Sequence, residues 1–201
     1  MICEQNVILA LIFGVSAVAF SWQVWYNFFD KFVSDGMRCI MEKWLEQHKN
    51  IQERYCSGNE IEEIVKKCSI DRSRFYEYSK NDYTKILTKF YYSFVDYKKI
   101  PNFHLNYVWL NFRDNLKKVY FQYDWEKALD GIKQYFDRIG SRKLFLILSD
   151  GWVYEGYINE IISVVSEIDG TTIEDFYIVS PKFDSFAMFC SDGDCFNIFE
   201  A

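Results

Sequence analysis

The residues best suited to chemistry lie in the stretch "SFAMFCSDGDCFNIFE", where Cys190 and Cys195 flank Ser191-Asp192-Gly193-Asp194. Four kinds of chemistry fit these residue types: a metal loop, a disulfide clasp, a catalytic turn, or an acidic surface that meets something basic. An EF-hand is excluded by spacing. Counted from Asp192, the sixth position is Asn197, where the calcium loop needs Gly. A zinc site built on the two cysteines would need two more ligands, and no paired Cys or His motif supplies them. A disulfide stays open, because a four-residue turn places Cys190 and Cys195 opposite each other within bridging range. Two adjacent reduced thiols are the alternative, and the simpler one for a cytoplasmic protein.

A catalytic turn finds little support. The two histidines are His48, beside Lys49 on a polar helix end, and His104, among aromatics near a turn. The chain has no G-x-S-x-G, no phosphate-binding P-loop and no G-x-G-x-x-G. No enzyme activity and no cofactor are therefore expected.

The acids remain. Residues 150–201 hold eleven acidic side chains and one base, Lys182, in a chain whose net charge is only −6. The first 29 residues carry Glu4 alone, so the stretch 30–149 is net basic. Charge asymmetry of this kind bears on partners rather than on fold. It disfavours nucleic acid as a partner of the C-terminal part, since phosphates would be repelled.

The elements that must position these residues follow from periodicity. The chain has 201 residues, half of them hydrophobic and a fifth aromatic, enough for one domain with a proper core. In "DKFVSDGMRCIMEKWLEQHK" the apolar residues share a helical face. Asn59 is placed to cap "NEIEEIVKKC", and "NDYTKILTKFYYSFVDYKKIP" sets Tyr83, Ile86, Leu87, Phe90, Tyr91, Phe94 and Val95 on one stripe. The segment "FHLNYVWLNFRDNLKKVYF" fits helix and strand equally. Asp124 caps "DWEKALDGIKQYFDRIG" and Gly140 stops it. The period then changes. "KLFLILSD" reads as a central strand, "YINEIISVVSEIDG" as a helix, and "EDFYIVS", "SFAMFC" and "CFNIFE" as strands, the last two joined in a hairpin. The expected class is α+β: an N-terminal apolar helix, a helical region over 30–140, and a small mixed or antiparallel sheet over 141–201 that closes in a β-hairpin.

Residues 1–29 are read apart from this single domain, 30–201. No charge falls between Glu4 and Asp30. A transmembrane helix fits, with Trp22, Trp25 and Tyr26 at an interface and four bases following, which leaves the bulk of the chain on the cytoplasmic face of an inner membrane. A cleaved signal peptide with a site at Ala17-Val18-Ala19 and a buried core helix are the other readings. Cleavage would leave five of the six cysteines, an awkward number in an oxidising compartment.

The segment from Lys143 to Phe199 resembles the C-terminal half of small bacterial immunity-type proteins of polymorphic-toxin and contact-dependent inhibition systems. The matching pieces are Glu155-Gly156, Asp175-Phe176-Tyr177-Ile178-Val179 and the closing hairpin, with "DWEKALDGI" upstream. The chain departs from that pattern at Phe186 and at Ser191-Asp192-Gly193-Asp194, where such proteins often carry Trp and an Asn-His-His turn. The resemblance implies a toxin-neutralising binder whose partner is a basic protein toxin domain. A membrane-anchored accessory or scaffold protein is the alternative. On the first reading Asp175, Asp184, Asp192 and Asp194 would make the contacts, and Tyr177 and Phe186 would be apolar anchors. Strand alternation allows one of those two aromatics to be core instead.

Overall fold

The computed structural model describes residues 57–96, 105, 107–141, 143–168, 173, 175–193 and 195–201. The apolar segment 1–29, the amphipathic stretch after it and both histidines lie outside the described residues.

The architecture rests on three strands that bury every residue: β3 (Leu144–Leu148), β5 (Asp175–Val179) and β6 (Ser185–Cys190). Four more strands flank them: β1 (Phe75–Glu77), β2 (Lys117–Gln122), β4 (Val153–Gly156) and β7 (Cys195–Glu200). Together they form one sheet in the order β1-β4-β3-β5-β6-β7-β2. Every neighbouring pair is antiparallel. The α+β class expected from periodicity is present. The sheet is wider than expected, because β1 and β2 come from the stretch 30–140 that reads as helical.

A central strand with two buried faces needs cover on both. The helices α1 (Ser57–Lys67), α3 (Trp125–Arg138) and α4 (Ile158–Val165) supply it on one side. There Ile61, Ile132, Phe136, Ile161 and Val165 meet Leu146, Phe176, Ile178, Phe189 and Phe196 in one apolar cluster. The other side is covered by α2 (Tyr83–Phe94), whose expected stripe is buried. Phe90 and Phe94 on that helix, together with Phe112, surround the Phe186 ring at centroid distances of 5.8, 4.4 and 5.0 Å. Alternation along each strand sorts the side chains: Phe176 and Ile178 face the three-helix side, while Asp175, Tyr177 and Val179 face α2.

Local signals explain the helix ends. The Asp124 side chain accepts from the Lys127 amide, as its position before α3 requires. Gly140 takes φ +69° at the helix stop, a left-handed conformation that L side chains resist. Helix α1 differs from expectation. It is already helical at Ser57, so Asn59 lies inside the helix and is not its cap. Ser57 N donates to Asp150 Oδ2 at 3.1 Å, a contact made from far along the chain.

Phe186 therefore belongs to the core, as does Tyr177, both with no exposed surface. Truncation of Phe186 to Ala is expected to destabilise the fold by about 3–5 kcal/mol in urea unfolding, the range for a large aromatic removed from a packed core. A loss of a few tenths would instead place the ring at the surface.

Candidate functional site

The six residues expected at a partner surface do not come together. Asp175, Tyr177 and Phe186 are interior, because β5 and β6 are covered on both faces. Asp194 lies outside the described residues. Asp184 and Asp192 are exposed, but Asp184 precedes β6 and Asp192 follows it. A six-residue strand is about 20 Å long, so the two acids sit at opposite ends of the sheet.

Other acids of the C-terminal stretch are neutralised by bases from the middle of the chain. Glu155 pairs with Lys143 at 2.8 Å, Glu160 with Arg74 at 2.5 Å, and Glu167 with Lys67 at 2.6 Å. Glu200 accepts from the Tyr135 hydroxyl at 3.0 Å. The hydrogen bond it donates to Glu155, then the one it donates to Tyr76, holds the Lys143 ammonium above its ordinary pKa. Three of the eleven acids of 150–201 are thus paired with bases from earlier in the chain.

Three places do gather reactive or recognisable groups. The first is a polar row on the face toward α2. Asp175 is the register partner of Cys190, and Cys190 is the register partner of Cys195. Tyr177, Met188, Asn197 and Phe121 form the next row. Asp175, Cys190 and Asn197 are 3–5 % exposed, while Cys195 is half-buried. Asn197 Nδ2 lies 3.6 Å from Cys195 Sγ, but Asn197 Oδ1 and the Tyr177 hydroxyl have no hydrogen-bond partner among the described residues. Each such buried orphan costs about 1–3 kcal/mol. Burial, with Asp175 and Cys190 adding to it, pushes the Tyr177 hydroxyl well above its ordinary pKa. Burial and the Asp175 carboxylate push the Cys190 thiol up to about 11. Both cysteines, and Cys68, are free. Among the described residues no three His, Cys, Asp or Glu side chains converge on a metal position.

The second place is the turn between β3 and β4. The Trp152 ring lies against Gly58, where any Cβ would fall within 2.9 Å of it. Lys80 Nζ sits 4.3 Å from the centre of that ring, and the Tyr83 ring meets it edge-on. Tyr83 donates to Glu77 at 2.8 Å. Asp150 accepts from the Ser57 amide and, at 3.4 Å, from that of Trp152. Burial raises the Asp150 carboxyl above its ordinary value of 3.8 despite those bonds. This cluster clamps α1 onto the sheet.

The third place is the edge of the sheet. Strand β2 pairs with β7 on one side and with no strand among the described residues on the other. Phe121 and Tyr123 are 44 % and 65 % exposed and touch edge-to-face at 4.6 Å. Lys118 Nζ lies 5.3 Å from the Phe121 ring centre and 5.7 Å from that of Phe199. Lys117 and Lys118 are exposed, with no ion pair among the described residues. A register shift between Lys118 and Tyr120 interrupts the alternation of "KKVYFQ", and helix and strand patterns both fit part of the segment around it, so the site has no clear linear mark. A shallow cleft of about 550 Å³, lined by Ser141, Lys143, Lys182 and Asp184 among others, completes the surface. Its Lys143 amine is already held by Glu155 and Tyr76.

Fold and site together define an α+β protein built on one seven-stranded antiparallel sheet, with helices on both faces and an aromatic, basic edge. Residues 54–200 match DUF6756, a family of unknown function, and the chain belongs to that family. The match takes in every described element from α1 to β7. Comparisons with curated proteins and with solved structures return no match. Among the described residues no helix is long and apolar enough to cross a membrane, and the anchor expected over 1–29 lies outside them.

The clamp at Asp150 has a pH signature. Its folded-state pKa is raised, so the fold binds the proton more tightly than the unfolded chain does. The stability tied to this group is present below 3.8 and is lost as pH rises through the higher folded value. Asp150→Asn, which keeps one acceptor oxygen, is expected to remove that loss and flatten the stability–pH curve above pH 3.8. Parallel curves for the two proteins in chemical unfolding would show that Asp150 does not titrate differently on folding.

Proposed function

We propose that this chain is a protein-binding module that holds its partner along the edge of β2 that pairs with no strand among the described residues. The observation that carries the reading is the pair Phe121 and Tyr123, exposed at and just past the end of edge strand β2, which also bears two exposed lysines. Lysines alone, or the register shift between Lys118 and Tyr120, are common guards against unwanted strand pairing. Exposed aromatics have the opposite effect. Aromatic side chains are enriched at binding hot spots because they bury large area at low entropic cost. An added strand would gain main-chain hydrogen bonds from the outer edge of β2, and side-chain selectivity from Phe121 and Tyr123.

Charge complementarity with Lys117 and Lys118 selects the occupant: an extended, acidic segment of a partner protein. This reading shares with the toxin-neutralising one its class, a pure binder, but puts the contact on this edge rather than on the acidic turns. Strand addition fits a protein that must recognise one partner without chemistry of its own.

The reading is tested by placing a photo-crosslinking amino acid at Tyr123 or, separately, at Asp192 in the full-length chain in its native host. Crosslinking at 123 to an acidic segment of one defined protein is expected, with the amides of β2 gaining hydrogen-exchange protection in the complex. Lys117→Glu with Lys118→Glu should weaken that complex about tenfold or more, most at low salt, while leaving unfolding nearly unchanged. A partner that crosslinks at 192 and not at 123, leaving β2 amides unprotected, would return the interface to the acidic turn.

A further inference from the structure

Cys190 and Cys195 sit across from each other on adjacent antiparallel strands, joined by the short helical turn Ser191–Gly193. Directly opposed residues in such a ladder have Cα atoms about 4.5 or 5.5 Å apart, depending on the hydrogen-bonding phase. Both separations fall inside the range that a disulfide spans without backbone movement, about 4.4–6.8 Å. The side chains also share a face, because register partners always do. Geometry therefore permits a bridge, and both thiols are free.

The surroundings of the two sulfurs differ in the way a reactive pair requires. Cys195 is half-buried and reachable, while Cys190 is 4 % exposed. Asn197 directs its amide Nδ2 at Cys195 Sγ, 3.6 Å away, which fixes where that sulfur sits. The fold keeps Asn197 there although its carbonyl oxygen is buried without a partner among the described residues. A Leu or Val at that position would pack better, so the amide has a use other than stability. Cys190 lies behind, where burial first and the neighbouring Asp175 carboxylate second disfavour its thiolate. Cys195 is thus the first to react and Cys190 the one that resolves.

We propose that Cys190 and Cys195 form a thiol-modification site, a cross-strand dithiol that is oxidised to a disulfide by small-molecule disulfides. In the first step the Cys195 thiolate attacks one sulfur of the small disulfide; a mixed disulfide forms at Cys195 and a small thiolate leaves. In the second step the Cys190 sulfur, giving up its proton to solvent, attacks Cys195 Sγ. The protein disulfide forms and the second small thiolate leaves. The protein loses two electrons, and the small disulfide is reduced to two thiols. The bridge would close the turn that carries Asp192 and tie β6 to β7, the strand on which β2 is registered.

The test uses the full-length chain with its six cysteines. The protein is equilibrated in glutathione redox buffers, quenched with acid, alkylated and analysed by peptide mass spectrometry. A Cys190–Cys195 cross-link is expected to appear reversibly as the buffer becomes oxidising, with circular dichroism unchanged. Cys190→Ala should trap a glutathione mixed disulfide at Cys195, whereas Cys195→Ser should leave Cys190 alkylatable. If both cysteines stay reduced in the most oxidising buffer, or pair with other cysteines, the proposal fails. Mixed disulfide at Cys190 rather than Cys195 would overturn the assigned order of attack.

Discussion

The arrangement of the whole molecule depends on three adjacent strands that hide both of their faces. Every residue of β3, β5 and β6 is buried. A sheet of this kind cannot leave one side to water, so it must recruit cover for each. The three helices that pack on Leu146, Phe176 and Phe189 answer that need on one side, and the aromatic stripe of α2 answers it on the other. The cover comes from chain segments on both sides of the first central strand, so the core cannot form in order along the sequence. Two of the seven strands also come from the earlier segment. They end as the edges of the sheet, where a short strand or one with lysines is least costly.

The same mixing of early and late segments governs the charges. The bases Lys67, Arg74 and Lys143 reach the acids Glu167, Glu160 and Glu155 across the fold. Exposed pairs such as Lys67–Glu167 contribute little to stability, a fraction of a kcal/mol each. Their effect is on the field. Each acid paired in this way loses part of its potential, which weakens its long-range attraction for a basic partner. What remains exposed at the β2 edge, by contrast, has lysines and aromatic rings together.

These contrasts show which features could be read from residues alone. The stripe of α2, the Asp124 cap, the Gly140 stop and the hairpin around residues 190–195 were legible because each depends on neighbours within a few positions. Strand β1 was not, since three residues carry no period. Strand β2 was hidden by a register shift that interrupts its alternation. The contact that holds α1 to the sheet at Ser57 comes from Asp150, 93 positions along the chain, which no local pattern shows. The interior position of Asp175 and Tyr177 was illegible for a more general reason. In a strand covered on both faces alternation no longer separates inside from outside, so "DFYIV" reads the same whether Tyr177 meets a partner or a helix.

The buried polar row is where the packing argument reaches its limit. A sheet face pressed under Phe90, Phe94 and Phe112 favours apolar side chains, and Phe186, Met188 and Val179 comply. Asp175, Tyr177, Cys190 and Asn197 on the same face do not, and two of their polar atoms have no partner among the described residues. Random placement of polar groups in a core would be expected to scatter them; here they occupy two consecutive registers over three strands. Local rules that agree with the global fold are what make a sequence foldable, and places where they disagree tend to be where function constrains the residue. The row sits at the end of β6 that leads into the exposed turn, next to the half-exposed Cys195. A polar core that ends at a solvent-reachable thiol has a route by which chemistry outside can reach it, which an isolated buried Asn or Tyr would lack.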